Sequence, residues 1–384
     1  MSSEDGDRHA LCSIRAPLAS LHSGRSVSLL SLSGAGAAGS RPVSLSTGPS
    51  VQLQRLLPAG DADATPGRAK VAALCGPELR VYDACRGICT ARASVEAGKI
   101  LDMACAAGPR GEGGGAVASI YLLPATGRHV LEYRWSEETN KLKLKKRIKC
   151  LSEPSPSSTS TGGSLGASED GSLLAVVRHE PTVRIVTTDE GKRCGKIRCS
   201  ADRLLWIDGA DHRLLTTENS TVTLYSRDPA AAGDKHSWKE TCRLASSGSV
   251  QWVEAHDRLA AVCAVRGGSG ATSVELFELP PSSETGRAPL TEVLRPAGTV
   301  EAADGREIVA ARPSDDGSSV AVVSLAPETK EPAAEAASVR TEGGRIAPRT
   351  LLGSAPARKR PASPAAATET AAPKKTKVFT PVAV

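Results

Sequence analysis

Six times along this chain a run of β-forming residues meets a short turn and a second run follows it. The hairpins read KVAALCGPELRVYDA from Lys70, VASIYLLPATGRHVLEYRW from Val117, GSLLAVVRHEPTVRIVTT from Gly171, HRLLTTENSTVTLYSR from His212, DRLAAVCAVRGGSGATSVELFEL from Asp257 and REIVAARPSDDGSSVAVVSL from Arg306. Their turns are rich in Gly, Pro, Asn or Asp, the residues that reverse a strand at least steric cost. Aligning the second runs puts Tyr82, Tyr133, Val186, Tyr225, Phe277 and Val323 at one position, with spacings of 51, 53, 39, 52 and 46 residues by subtraction. A weaker member, SVSLLSL, puts Leu30 there, 52 residues before Tyr82. The chain holds 4 Tyr and 2 Phe, and four of those six rings fall on the shared position, which ties the repeat to packing rather than to β propensity alone.

A period of about 40 to 50 residues with several strands per unit is that of a propeller blade. One such sheet cannot bury both faces, and radial packing of several around a channel solves the problem. The expectation is an all-β chain folded as a single seven-bladed β-propeller over residues 10–340. Residues 1–9 are expected to be a flexible N-terminus and residues 341–384 a disordered basic tail. An irregular pair of β-sandwiches is the plainer alternative. The chain is 40% hydrophobic but only 3% aromatic, so small and β-branched side chains must fill the core.

LRVYDACRG (Leu79 to Gly87) resembles the third strand of the WD-repeat family, with Tyr82 in the place of the usual Trp and Asp83 keeping the acid. SEDGSLLAVV (Ser168 to Val177) resembles that family's turn into its second strand. The chain departs from the pattern in having no WD dipeptide and no GH ahead of a first strand, so the family's His-Ser/Thr-Asp-Trp network cannot be built in its usual form. ALCGPELRVYDACRGIC (Ala73 to Cys89) is similar to propeller subunits of the small-subunit processome. That likeness implies a scaffold in ribosome biogenesis, with other proteins of a multi-subunit complex as partners and the nucleus or nucleolus as compartment.

Other segments read as connections. SEPSPSSTSTGG (Ser152 to Gly163) and the stretch Ser31 to Ser50 are too polar and small to pack, and PRGEGGGA (Pro109 to Ala116) reads as a long turn. Between Arg8 and Arg55 there are basic residues, many Ser and Ala, and no acid, a composition shared with organelle transit peptides; the acidic start MSSEDGD opposes that reading. No apolar run reaches the roughly 18 residues of a transmembrane helix, and no membrane partner is expected. Ten cysteines contain no CxxC pair. The closest spacings, Cys85 with Cys89 and Cys194 with Cys199, fit buried reduced thiols in strands better than a zinc site. Reduced thiols suit a nuclear or cytosolic compartment.

Two basic stretches are candidate contact sites. Arg358, Lys359 and Arg360 form one cluster in the tail and Lys374, Lys375 and Lys377 another. PKKTKV resembles a monopartite nuclear localisation signal and the two clusters a bipartite one, which makes an import receptor a partner. Ser363 and Thr380 each precede Pro and are candidate phosphorylation sites; negative charge at Ser363, between the clusters, would oppose import. KLKLKKRIK carries Lys141, Lys143, Lys145, Lys146, Arg147 and Lys149. Leu142, Leu144 and Ile148 alternate with cations, which predicts an outer blade strand with one face packed and one strongly positive. Its partner would be RNA phosphates or an acidic protein. The plainer reading is an edge strand guarded by lysines against sheet-to-sheet pairing.

Catalytic patterns are missing from the sequence: there is no HExxH, GxSxG or P-loop. Gly34, Gly36 and Gly39 match GxGxxG but run into Ser-Arg-Pro rather than a helix, so no phosphate site is expected. His179 with Glu180 and His256 with Asp257 read as turn-orienting pairs. No catalytic residue, cofactor or metal is expected. The sequence favours a nuclear scaffold in a ribonucleoprotein assembly. The alternatives are a non-catalytic propeller subunit of a tRNA-modifying methyltransferase and a chromatin-associated scaffold.

Overall fold

The structure is a computed structural model. It describes residues 10–15, 18–23, 26–31, 43–47, 50–58, 69–84, 86–108, 116–152, 162–178, 180–207, 213–227, 238–265, 273–280, 292–302, 306–314, 319–326, 332–342 and 345–348, with the backbone alone for most of 10–45 and for 332–348. These residues form seven antiparallel sheets taken in order along the chain. The first holds β1 (Ala10–Arg15), β2 (Leu18–Ser23), β3 (Ser26–Ser31) and β4 (Val43–Ser46), and the second β5 (Leu53–Leu56), β6 (Lys70–Cys75), β7 (Glu78–Asp83) and β8 (Ile88–Ser94). The third holds β9 (Ile100–Ala107), β10 (Val117–Pro124), β11 (His129–Ser136) and β12 (Lys141–Lys149), and the fourth β13 (Gly163–Ala167), β14 (Leu173–Arg178), β15 (Val183–Thr187) and β16 (Arg193–Ile197). The fifth holds β17 (Arg203–Ile207), β18 (Arg213–Glu218), β19 (Thr221–Arg227) and β20 (Trp238–Ala245). The sixth uses β21 (Ser249–His256), β22 (Leu259–Val265), β23 (Ser273–Glu278) and β25 (Gly298–Glu301), while β24 (Glu292–Leu294) adds a fifth, parallel strand to the edge of the fifth sheet at β20. The seventh holds β26 (Glu307–Pro313), β27 (Ser319–Leu325), β28 (Pro332–Glu342) and β29 (Arg345–Pro348).

The turns explain why the chain reverses where it does. Cys75 pairs with Glu78 across the two-residue turn Gly76–Pro77, and Gly76 has φ +60. Glycine first in such a turn matches the right-handed twist of the strands, and proline second has its φ already set. Asn219 (φ +52) and Asp257 (φ +44) serve the β18–β19 and β21–β22 turns, being the side-chain types that tolerate this region best.

The first strands close the ring. β1 touches β5, β5 touches β9, and so on through β13, β17, β21 and β26, which touches β1 again. Among the described residues no strand is exchanged between the first and last sheets, whose contacts are by packing. Each neighbouring pair of sheets holds its own apolar core. Val27, Leu29, Val71 and Tyr82 join the first two sheets; Leu74, Val81, Tyr133 and Trp135 join the next pair. Tyr121, Val130, Ile148, Leu174 and Val186 follow, then Ile185, Trp206, Leu214 and Tyr225, then Leu215, Leu224, Val262 and Phe277. Leu276, Val300, Ile308 and Val322 pack the sixth sheet on the seventh, with Ala19 of the first among them.

The repeat position proves structural. Tyr82, Tyr133, Val186, Tyr225 and Phe277 all lie on third strands, are buried, and face the preceding sheet. At Tyr82, Tyr133, Val186 and Tyr225 the pairing to the fourth strand breaks at the same place, leaving Thr90, Lys145, Cys194 and Thr241 as the extra residue of a β-bulge. The Tyr82 hydroxyl donates to the Thr47 carbonyl at 3.0 Å and that of Tyr133 to the Ser94 carbonyl at 3.0 Å, both at the end of the preceding sheet's fourth strand. Tyr225 meets the Cys199 thiol in the equivalent place, and burial pushes its hydroxyl well above the usual phenol range.

The resemblance to the WD-repeat third strand acquires a physical form here. Asp83 accepts from Lys70 Nζ at 2.8 Å and from the Arg86 N–H at 3.2 Å, tying the end of β7 to the start of β6 and fixing the turn that follows. The SEDG turn does lead into the second strand β14: Ser168 Oγ donates to Asp170 at 2.6 Å and accepts from the Leu173 N–H at 2.9 Å. Gly171 has φ +68, and a Cβ there would lie 2.6 Å from the Ala107 carbonyl, so the turn needs glycine for conformation and for contact with the third sheet.

Three expectations need correction here. Val323 lies on β27, the second strand of its sheet, because residues 298–301 ahead of it complete the sixth sheet and β26 becomes the innermost strand. β28 runs to Glu342, and β29 (Arg345–Pro348) pairs with it, in a stretch that composition reads as tail. Composition missed these strands because Ala-rich segments become strand through their partners rather than their own propensity. Gly163 opens β13 instead of ending a loop. Cys89 is exposed, whereas Cys194 is buried as expected. Residues 1–9, Cys85, His179, Gly34, Gly36, Gly39 and everything after 348, including all tail sites, lie outside the described residues.

Candidate binding surfaces on the rim and in the channel

β12 is the outermost strand of the third sheet, as its lysine-rich sequence suggests. Its two faces are not one packed and one positive. Leu142 pairs with Trp135 and packs toward the second sheet, whereas Ile148 pairs with Val130 and packs toward the fourth. The bulge at Lys145 inverts the alternation between them. Leu144, expected in the core, is 41% exposed at this break. The cations therefore flank the blade edge on both sides.

They are not equivalent. Glu132 is buried at 1% exposure and gathers Arg134 at 3.0 Å, Lys146 at 3.6 Å and the Ser119 hydroxyl at 3.1 Å. Lys146 also donates to the Asp189 carbonyl of the fourth sheet at 2.9 Å, so it is spent on holding two sheets together. Arg147 makes a loose exposed pair with Glu96 at 3.7 Å. Lys141, Lys143, Lys145 and Lys149 are exposed and make no ion pair among the described residues. Four uncompensated ammonium groups on one strand of nine residues attract polyanions and repel a second copy of the same edge.

The second site was not legible from the strand pattern. The inner strands enclose a cavity of about 460 Å³ lined by β5, β9, β13, β17, β21 and Arg312 of β26. Asp102 holds one wall. It accepts from Arg55 Nη2 at 2.8 Å, the Met103 N–H at 2.7 Å, the Leu165 N–H at 2.8 Å and Ser164 Oγ at 3.3 Å, joining three sheets. Arg203 lies over the ring of Trp252, 5.5 Å from its centroid. Glu254 and Arg312 also line the cavity. Each of these charges lies on a first strand, where a charged residue facing the ring's interior is the signal a sequence carries for such a site. Of the turn pairs, His256 is half-buried at the end of β21 and Asp257 faces the buried Arg213 guanidinium at 3.8 Å.

Neither a family model nor a curated protein matches this chain. Solved structures do. A chain of the mitotic checkpoint complex aligns at 11% identity over 87% of this chain and 89% of its own, with TM-score 0.55. The β-propeller domain of Cps50 (Swd1) from Myceliophteria thermophila aligns at 11% identity over 86% and 99%, with TM-score 0.52. Hsv2 of Kluyveromyces lactis aligns at 12% identity over 85% and 91%, with TM-score 0.51. Together with the closed ring of seven sheets, these similarities define the fold: the chain is a β-propeller. At such identities the likeness extends to fold alone.

Proposed function

We propose that this chain is a non-catalytic, divergent WD-repeat-like scaffold that holds protein partners together in a nuclear ribonucleoprotein assembly, with ribosome biogenesis as the process. The observation that carries the reading is the rim strand β12, whose Lys141, Lys143, Lys145 and Lys149 are exposed and in no ion pair among the described residues, concentrating positive charge on one blade edge. Further support comes from the propeller fold, from the Ala73–Cys89 likeness, and from the basic clusters at Arg358–Arg360 and Lys374–Lys377. Asp102 is tied into hydrogen bonds that join three sheets and Glu132 into bonds within the third sheet, a structural use of both acids.

The test is purification of the tagged full chain from cells, followed by mass spectrometry of what remains bound. Pre-ribosomal proteins with their RNA are the expected set. Recovery of one stoichiometric methyltransferase, or of chromatin proteins alone, would replace this reading with the corresponding alternative.

A further inference from the structure

The central cavity holds a cation that the protein leaves unanswered. Arg203 opens β17, the innermost strand of the fifth sheet, and its guanidinium crosses to the sixth sheet to rest on Trp252. A cation–π contact with a ring face uses the charge of the guanidinium without requiring its five N–H donors to bond. No hydrogen bond or ion pair joins Arg203 to any described residue. Trp252 is 8% exposed, which holds the stack in place from below.

The surrounding acids do not neutralise it. Asp102, whose charge acts on Arg203, has its oxygens taken by Arg55, two backbone N–H groups and the Ser164 hydroxyl. Glu254 already has an interaction of its own. Asp202 and Glu169 are exposed, and Asp202 accepts from the Asn219 N–H at 3.2 Å. Burial, then the charge of Arg55, makes the charged form of Arg203 harder to hold, and this outweighs the pull of Asp102 and Asp202. Arg203 itself lines the cavity, beside Ser164 of the neighbouring β13, whose hydroxyl is already taken by Asp102 and the Leu204 N–H. An arginine fork held on an aromatic ring, short of counter-charge and facing open volume is how proteins receive oxyanions.

We infer that the channel is an oxyanion-binding site in which Arg203, braced by Trp252 and flanked by Arg55, takes a carboxylate or phosphate group. The volume of about 460 Å³ admits a small anion or the acidic end of an extended chain. The site is separate from the β12 rim and does not rest on the scaffold reading.

Inorganic phosphate is the probe, titrated against the full-length chain at constant ionic strength with chloride as the balancing anion. The expected result is a saturable rise in melting temperature, since a ligand of the native state alone stabilises it by mass action. Arg203→Met should weaken phosphate binding roughly tenfold or more, the worth of a charge-assisted hydrogen bond. The rim variant K143Q/K145Q/K149Q should bind phosphate as the wild type does. In case the Met variant does not fold, Arg203→Lys keeps the charge but loses the fork, and should bind more weakly than wild type. Independently, the Trp252 indole N–H signal, identified with Trp252→Phe, should shift on titration. Absence of a saturable rise in the wild type would overturn the inference. So would equal binding by the Arg203 variants, loss of binding in the rim variant, or an unmoved Trp252 signal. Succinate in place of phosphate distinguishes a carboxylate ligand from a phosphate one.

Discussion

Tyr133 shows how one residue can serve both core and seam. Its ring lies in the core between the second and third sheets, and its hydroxyl donates to Ser94 across that interface. Tyr133→Phe should cost about 1 kcal/mol, the net worth of one hydrogen bond, and Tyr133→Ala about 3 to 5 kcal/mol, the cost of an aromatic-sized cavity. Urea unfolding of the two variants checks the difference. Phe277, with no hydroxyl, should show the second cost without the first. Cys150 gives a pH dependence. Burial pushes its thiol up to about 11 from an ordinary value near 9. The unfolded thiol thus loses its proton first. The contribution is fully present below about pH 9 and is lost as pH rises toward about 11. Melting measured from pH 8 to pH 11 should fall less steeply in Cys150→Ala, by on the order of 2 to 3 kcal/mol across that window.

At the scale of the strand, β12 carries the functional claim. K143Q/K145Q/K149Q removes three of its four unpaired charges and leaves Leu142, Ile148 and the Lys146–Glu132 tie in place. If RNA is the partner, the log–log salt slope of binding should shrink by up to about three units, close to one released counterion per lost phosphate contact. An acidic protein partner would show the loss mainly in association rate and in its salt sensitivity. Aggregation of the variant with unchanged binding would assign the lysines to edge protection instead. Unchanged binding, association rate and solubility together would remove β12 from any role. The edge of the fifth sheet, by contrast, is covered by the chain's own β24.

For the whole molecule, the propeller and the tail are expected to divide the work of binding and address. Residues 349–384 fused to a neutral reporter should concentrate it in the nucleus, and a phosphomimetic Ser363→Glu should reduce that, since the added charge lies between the two basic clusters. An evenly distributed reporter would leave the proposed compartment without support. Replacing Lys374, Lys375 and Lys377 with Gln in the full chain should redistribute it to the cytoplasm while leaving its melting temperature unchanged.

Much of this architecture was legible from the residues because a hairpin is a local object. Alternation, turn chemistry and the recurrence of Tyr82, Tyr133, Tyr225 and Phe277 depend on neighbours a few residues away, and together they implied seven sheets on a common plan. The position of β12 on the rim was legible for the same reason. What followed from contacts between sheets was not. The bulge at Lys145 sends Leu142 and Ile148 to opposite neighbours and leaves Leu144 outside, because a one-residue mismatch inverts every side chain beyond it. The seventh sheet takes Val323 as a second-strand residue because residues 298–301 had already gone to the sixth. Arg55, Asp102, Arg203 and Trp252 lie on four strands between residues 53 and 256, and only closure of the ring brings them to one cavity. The residues alone determined strands, turns and the charge of the rim, whose causes are local; the tertiary structure decided faces, sheet membership and the channel site, whose causes lie between elements far apart in the chain.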